Sequence, residues 1–301
     1  MGGVYASLEG TVFGSVYMLI PLFSVLITQW ICGEKPLRGC GINWQVNRWW
    51  FVAWIGMLLL TAAAVPVSGL LPGVECTLDT EPMRQLTGQF AQSGLAIGSW
   101  GAIGITLLSG LLAGVTVNAL FAFGEEVAWR GFLARELTHL GFWKKSLLIG
   151  AIWGIWHAPM ILMGHNYPDH PVAGVFMMVA LCLLLSPVFM YLREKSGSVI
   201  VAAIAHGTMN AVAGLSLMLL DGYNDLLCGS CGLAGMAVLA VADIFIGYIL
   251  KNERISMIQK TKNGKHEQIE HLLLSRLQEC RHCLRKGTNR MLRKKNRTRS
   301  H

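Results

Sequence analysis

The stretch GAIGITLLSGLLAGVTVNALFAFGEEVAWRGF, residues 101–132, has no charged residue before Glu125. It then presents two adjacent carboxylates, Glu125 and Glu126, with Arg130 four residues after the second. An ionised group at membrane depth is costly, so such residues usually face the interior of a helix bundle and mark a functional site. The stretch therefore predicts a membrane helix that carries a buried polar site.

The whole chain has the composition of a membrane protein. Of its 301 residues, 53% are hydrophobic and only 14% are charged. Several apolar runs approach the roughly 20 residues that a helix needs to cross a bilayer. These runs predict an all-α, polytopic transmembrane helix bundle of about seven to eight spans, with apolar segments at 11–31, 49–71, 98–124, 146–163, 172–192, 198–220 and 229–250.

The positive charge is concentrated at the C-terminal end. The formal net charge is +8, and the sequence from Lys251 onward contains fifteen Lys and Arg but four Asp and Glu. Lys and Arg are also concentrated in every second connection between the apolar segments, which predicts a cytoplasmic tail. A basic segment beside a membrane helix is typical of contact with anionic lipid. We therefore expect anionic lipid, and no nucleic acid, as its partner.

Two further apolar segments carry a histidine. His157 lies eleven residues after Ser146, about 17 Å along a helix, and His206 lies nine residues after Gly197, about 14 Å along. Both are therefore expected near the midplane of a hydrocarbon core roughly 30 Å thick. Asn210 follows His206 by one helical turn. A carboxylate, two imidazoles and an amide at similar depth indicate hydrolytic chemistry.

The two adjacent carboxylates are expected to differ in role. Glu126 and Arg130 are spaced i, i+4 and can pair on one face of a helix. This pairing predicts that the helix continues past the carboxylates to about Arg135. Glu125 has no such partner in the sequence, as suits a general base. Asn118, seven residues earlier, is expected on the face of Glu125.

Each of these features also has a plainer explanation. A carboxylate pair can mark an interfacial helix face, and His or Asn can simply hydrogen-bond between helices. Trp153 and Trp156 are expected to pack and to line a site. Three functions therefore stay open from the residues alone: a hydrolase, a transporter or proton relay, and a non-catalytic scaffold or immunity partner. No inverted repeat supports the transporter.

Taken together, the three polar motifs resemble those of the CAAX-protease and bacteriocin-processing (Abi) family of intramembrane proteases, which includes the type II CAAX-prenyl endopeptidases. The family's Glu-Glu-x-x-x-Arg motif is matched at 125–130. Its aromatic residue followed four residues later by His is matched at 153–157, with Trp where Phe is common. Its His-x-x-x-Asn motif is matched at 206–210. The resemblance extends over about residues 98–220.

This resemblance implies four catalytic residues and a supporting pair. The catalytic residues are Glu125, His157, His206 and Asn210, and the supporting pair is Glu126 and Arg130. Glu125 would activate a water with the help of His157, and the water would attack a peptide carbonyl. His206 and Asn210 would stabilise the oxyanion, as preorganised donors do in other hydrolases.

Metal dependence stays open at this point, because the family has been described both as metalloproteases and as metal-independent glutamate proteases. No H-E-x-x-H sequence occurs. Glu125, His157 and His206 are nevertheless the three side chains that would hold a zinc ion with an open fourth position.

The apolar segments, the charge distribution and the resemblance together predict an organisation and a location. Residues 1–97 would form N-terminal spans and loops, 98–250 a catalytic protease core, and 251–301 the basic cytoplasmic tail. The substrate would be a peptide or protein in the membrane, of the prenylated CAAX type if the host prenylates proteins. The multi-pass protein would lie in the plasma membrane of a prokaryote or the endoplasmic reticulum of a eukaryote.

Overall fold

The structure is a computed structural model that describes residues 8–257, with side chains from residue 13 onward. Residues 1–7 and 258–301 lie outside the described residues. The latter contain most of the basic tail, so its predicted contact with anionic lipid stays a prediction. Apart from two strands of two residues each, the regular secondary structure of the described chain is helical, which confirms the all-α fold class.

Thirteen α-helices follow one another in the described chain. They are α1 (Leu8–Tyr17), α2 (Ile20–Ile31), α3 (Arg48–Ser68), α4 (Glu81–Gln92), α5 (Ser99–Val115), α6 (Val117–Glu126), α7 (Ala134–Glu136), α8 (Phe142–Trp156), α9 (Ala158–Leu162), α10 (Pro171–Ser196), α11 (Val199–Val212), α12 (Leu215–Met218) and α13 (Leu233–Met257). The segment between α6 and α7, Val127–Leu133, is π-helical. Two short strands, β1 (Glu75–Cys76) and β2 (Leu220–Asp221), pair antiparallel.

The helices make this a multi-pass membrane protein. Within residues 8–257, five helices are long and apolar enough to cross a membrane: Phe13–Ile31, Arg48–Ser68, Pro171–Ser196, Val199–Met218 and Leu233–Met257. A sixth span would run from α5 through α7 across a 42° bend. The predicted segment 146–163 is divided at His157 into α8 and α9, and neither half is of spanning length. The predicted count of seven to eight spans stays a prediction.

The helix with the two carboxylates continues past them, as the sequence predicts. It passes from α6 through the π-helical segment and ends with α7 at Glu136. The five residues from Val127 to Gly131 are all buried. A π-helical turn is a wide turn that is often found at functional sites. Here it contains Trp129 and Arg130, whose side chains both reach back to the carboxylates.

The central helix is α11, which packs against α3, α5, α6 and α10. Gly207 allows the closest of these contacts, because a Cβ at this position would lie 2.5 Å from the backbone nitrogen of Ala119. A Cβ at Gly114 would lie 2.8 Å from the Cα of Thr208. Small residues let membrane helices approach at backbone distance. This approach brings His206 within hydrogen-bonding reach of Glu126.

Replacing Gly207 with alanine is expected to destabilise the fold by about 1–3 kcal/mol, because the added methyl overpacks two backbones that have no room to separate. Equilibrium unfolding in detergent micelles would measure the loss. Gly104→Ala in α5 is the matched control, since nothing lies within 4 Å of its Cβ position. Equal stability of the two variants would show that the α11 contact is not tight.

Two loops on one side of the bundle are joined by polar contacts. The loop between α9 and α10 is held by Asp225, whose carboxylate lies 2.6 Å from Nδ1 of His170 and accepts a hydrogen bond from the backbone N–H of Asp169 at 3.0 Å. The Tyr167 hydroxyl donates to the carbonyl of Cys231 at 2.7 Å. These contacts fix the loop that follows α9.

The described residues up to Ile246 belong to one compact unit. The polar residues that the sequence singles out as a site all lie within it. The predicted domain boundaries after residues 97 and 250 stay predictions.

Candidate active site

Glu125 lies at the end of α6 and is 1% exposed. Its Oε2 accepts two indole hydrogen bonds, from Nε1 of Trp153 at 2.7 Å and from Nε1 of Trp129 at 3.4 Å. Trp153 comes from α8, whereas Trp129 lies one turn further along the same helical run. Because both bonds go to one carboxylate oxygen, Oε1 is the oxygen left for a molecule bound at the site.

Glu126 is the centre of a buried ionic cluster. Its Oε1 accepts hydrogen bonds from Nη1 of Arg130 at 3.0 Å and from Nδ1 of His206 at 2.9 Å. The guanidinium of Arg130 also lies 4.5 Å from the ring centre of Trp153 and 5.1 Å from that of Phe189. The i, i+4 pair that the sequence predicts is thus present, and it also holds a histidine from another helix.

His157 lies at the break between α8 and α9. Its Nδ1 is 2.8 Å from the backbone carbonyl of Trp153. A carbonyl only accepts hydrogen bonds, so Nδ1 carries the proton and Nε2 is the acceptor of the neutral ring. Pro159 lacks an N–H, so it cannot donate the backbone hydrogen bond that would continue the helix across this break. The carbonyl of Trp156 accepts a hydrogen bond from the hydroxyl of Tyr17 at 2.7 Å.

A cavity of about 430 Å³ joins the predicted catalytic residues. Glu125, His157, His206 and Asn210 all line it, and so does Asn118. His206 is nearly buried, whereas Asn210 is exposed. The fold thus brings the four side chains from three helical regions to one polar pocket among apolar helices.

The aromatic surroundings of this cavity go beyond what the sequence analysis describes. Trp156 lines the cavity as expected. Trp153 does more than pack, since it donates a hydrogen bond to Glu125. No role is predicted from the sequence for three further aromatic residues. Trp129 contacts Glu125, Phe189 contacts Arg130, and Tyr17 lines the cavity. Only Trp129 has a local signal, its i, i+4 spacing from Glu125.

The predicted zinc ligands are not gathered into a metal site as placed. Within the described part of the chain, no group of three His, Cys, Asp or Glu side chains is arranged to hold a metal ion. Oε2 of Glu125 accepts from two indoles, Nδ1 of His157 faces a carbonyl, and Nδ1 of His206 faces Glu126. A partner at Nδ1 is usual for a histidine that binds zinc through Nε2, so these hydrogen bonds leave Oε1 of Glu125 and Nε2 of each histidine available. Zinc binding by Glu125, His157 and His206 therefore stays a prediction.

Comparison with known proteins agrees with this geometry. Residues 100–212 match the family model described as Type II CAAX prenyl endopeptidase Rce1-like. That range contains all seven residues that define the three motifs.

A curated relative, CAAX prenyl protease 2 of Methanococcus maripaludis, is 25% identical over 169 residues. The alignment covers 55% of this chain and 58% of the relative, so the chain spans just over half the length of the curated relative that it matches. Over residues 100–212 the chain is therefore similar to the Rce1-like type II CAAX prenyl endopeptidases, which confirms the resemblance that the three motifs predict.

Proposed function

We propose that this protein is an intramembrane endopeptidase that hydrolyses a peptide bond in a membrane-associated substrate of the prenylated CAAX type. The observation that carries the proposal is the single cavity lined by Glu125, His157, His206 and Asn210. The similarity to CAAX prenyl endopeptidases supports the substrate class. The membrane would be the plasma membrane in a prokaryotic host and the endoplasmic reticulum in a eukaryotic one.

Glu125 is the general base of this mechanism. Its Oε2 is held by two indole N–H groups, so Oε1 takes the proton of the attacking water. His157 supplies a second acceptor, because its Nδ1 is engaged and its Nε2 can receive a hydrogen bond from the same water. Two acceptors orient the water's lone pair towards the carbonyl carbon, which is the positioning that general-base catalysis needs.

His206 and Asn210 stabilise the oxygen that becomes negative. The water oxygen bonds to the carbonyl carbon, and the electron pair of the C=O bond moves to oxygen. The side-chain amide of Asn210 donates directly. His206 already uses Nδ1 towards Glu126, so Nε2 is the ring nitrogen that remains to face the oxyanion. Donors of this kind are typically worth 10²–10³-fold in kcat.

Collapse of this intermediate completes the reaction. The C–N bond breaks as the electron pair on oxygen reforms the C=O bond, and the leaving nitrogen takes the proton that Glu125 received. Glu126 and Arg130 take no part in proton transfer and hold His206 in place. Water is therefore the only co-reactant that the mechanism needs.

The proposal is tested with the purified full chain in liposomes and two peptides that differ only in a farnesyl group on the CAAX cysteine. We expect mass spectrometry to show release of the residues that follow the lipidated cysteine, because prenylation of that cysteine defines the class. Equal cleavage of the unmodified peptide would contradict the prenylated substrate class and indicate a membrane endopeptidase of broader specificity. Cleavage of neither peptide would contradict it.

We also expect a chelator to leave the cleavage rate unchanged within about twofold, since no step above uses a metal and catalysis rests on positioned hydrogen-bonding groups. The rate would be followed after dialysis against EDTA, with a zinc endopeptidase treated in parallel. Loss of activity that returns on adding zinc would overturn the metal-independent mechanism and leave the peptidase assignment intact.

A further inference from the structure

Trp153 contacts four charged or polar residues of the site, Glu125, His157, Arg130 and His206. Its indole Nε1 donates to Glu125 at 2.7 Å, and its backbone carbonyl lies 2.8 Å from Nδ1 of His157. Its ring is 4.5 Å from the guanidinium of Arg130 and packs edge-on against His206 with centres 5.2 Å apart. The side chain is 3% exposed, so none of these contacts is made through solvent.

The contacts of Trp153 divide into two kinds. The contacts with Arg130 and His206 use the face and edge of an aromatic ring, and the contact with His157 uses the backbone. A phenylalanine could supply all of these. Only the bond to Glu125 requires the indole N–H. This bond can therefore be removed without removing the others.

The bond to Glu125 controls which way the carboxylate faces. Trp129 donates to the same oxygen, but at 3.4 Å its hydrogen bond is long. The 2.7 Å bond from Trp153 is in the range of short, charge-assisted hydrogen bonds. Without it, the carboxyl group can rotate about its terminal torsion, which has a broad energy profile. Oε1 would then spend less time in the orientation that faces the cavity.

We propose that the indole N–H of Trp153 is a positioning group that fixes the Glu125 carboxylate, so that Oε1 faces the attacking water. Trp153 does not touch the substrate and acts through Glu125. The inference rests on the proposed role of Glu125 as general base. It assigns to the aromatic position of the second motif a polar function that a phenylalanine there would lack.

The kinetic test compares Trp153→Phe with Trp100→Phe. Trp100 is 77% exposed at the start of α5, so its replacement makes the same chemical change outside the site. We expect Trp153→Phe to lower kcat roughly 10- to 100-fold, the effect of losing one hydrogen bond to a charged group. KM should stay within about twofold of the parent value, because the site still binds substrate. Trp100→Phe should change neither constant.

Two outcomes would overturn the proposal. One is an unchanged kcat in folded Trp153→Phe protein. The other is a raised KM at constant kcat, which would make Trp153 a packing or binding residue. If Trp153→Phe fails to fold, incorporation of benzothienylalanine at this position replaces the N–H by sulphur and keeps the ring shape. The same kcat loss is expected from it.

A second readout does not depend on activity. The chain has ten tryptophans, and the indole N–H resonance of Trp153 is identified as the one that disappears when Trp153 is replaced. In Glu125→Gln protein this resonance should shift more than those of the other tryptophans, because its N–H loses a charged acceptor. An unmoved resonance would overturn the inference. If this resonance shifts while no peptide is cleaved by the parent protein, the hydrogen bond stands and the proposed peptidase function fails.

Discussion

Glu125→Gln is expected to lower kcat by about 10³-fold, within the 10²–10⁴-fold range of general-base catalysis. The glutamine oxygen can still accept the indole hydrogen bonds of Trp153 and Trp129, so the fold is kept. The amide nitrogen then occupies the position of Oε1, where it cannot take a proton from water. The measurement is the cleavage of the farnesylated peptide under saturating conditions.

The matched control for this variant is Glu75→Gln. Glu75 lies in the exposed strand β1, so its replacement by glutamine is the same chemical change made away from the cavity. It should leave kcat unchanged. Activity of Glu125→Gln above about a tenth of the parent value would place the general base elsewhere, since an amide of the same size cannot replace a carboxylate as a base. A transporter or scaffold would show no peptide cleavage in either protein.

Arg130→Leu is expected to destabilise the protein by about 3–5 kcal/mol, the cost of removing one partner of a buried ion pair. Arg130 and Glu126 are both 0% exposed, and Glu126 would be left with His206 as its remaining partner. Leucine fills part of the space but removes one of the two hydrogen-bonding partners of the Glu126 carboxylate. Unfolding in mixed micelles, together with the amount of protein that accumulates in the membrane, measures the loss.

Two further variants show whether the charge is the cause. Arg84→Leu removes an arginine that pairs with Asp79 and Glu81 on the exposed surface, and it should change stability little. The double variant Glu126→Gln with Arg130→Leu removes both charges and keeps an acceptor for His206. It should recover part of the lost stability. If Arg130→Leu alone were as stable as the parent, the buried pair would not support the fold.

The predictions from sequence succeed where the contact is local. Glu126 and Arg130 are four residues apart on one helix, so their spacing alone places them together. The continuation of that helix to Glu136 follows from the same pair, because a charged arginine this deep needs its partner on a helical face. Five of the seven predicted apolar segments match helices of spanning length, since a spanning helix satisfies its backbone within itself.

The sequence does not predict contacts between residues that are far apart in the chain. Trp153 donates to Glu125 across 28 residues, and Tyr17 reaches the carbonyl of Trp156 across 139. Neither contact leaves a periodic signal, because each depends on how helices pack. The division of the fourth apolar segment at His157 also depends on packing between helices. Pro159 predicts a kink, but whether both halves remain one span depends on neighbours such as Tyr17.

The contact between α1 and the site has a consequence for how such proteins diverge. Tyr17 stacks on Trp156 with ring centres 4.4 Å apart, and Gly14 and Met18 also line the cavity. All three residues precede the matched range 100–212. The reactive groups and part of the wall of their cavity are thus encoded in separate parts of the chain. Two homologues with identical motifs could accept different substrates through changes in this N-terminal wall alone.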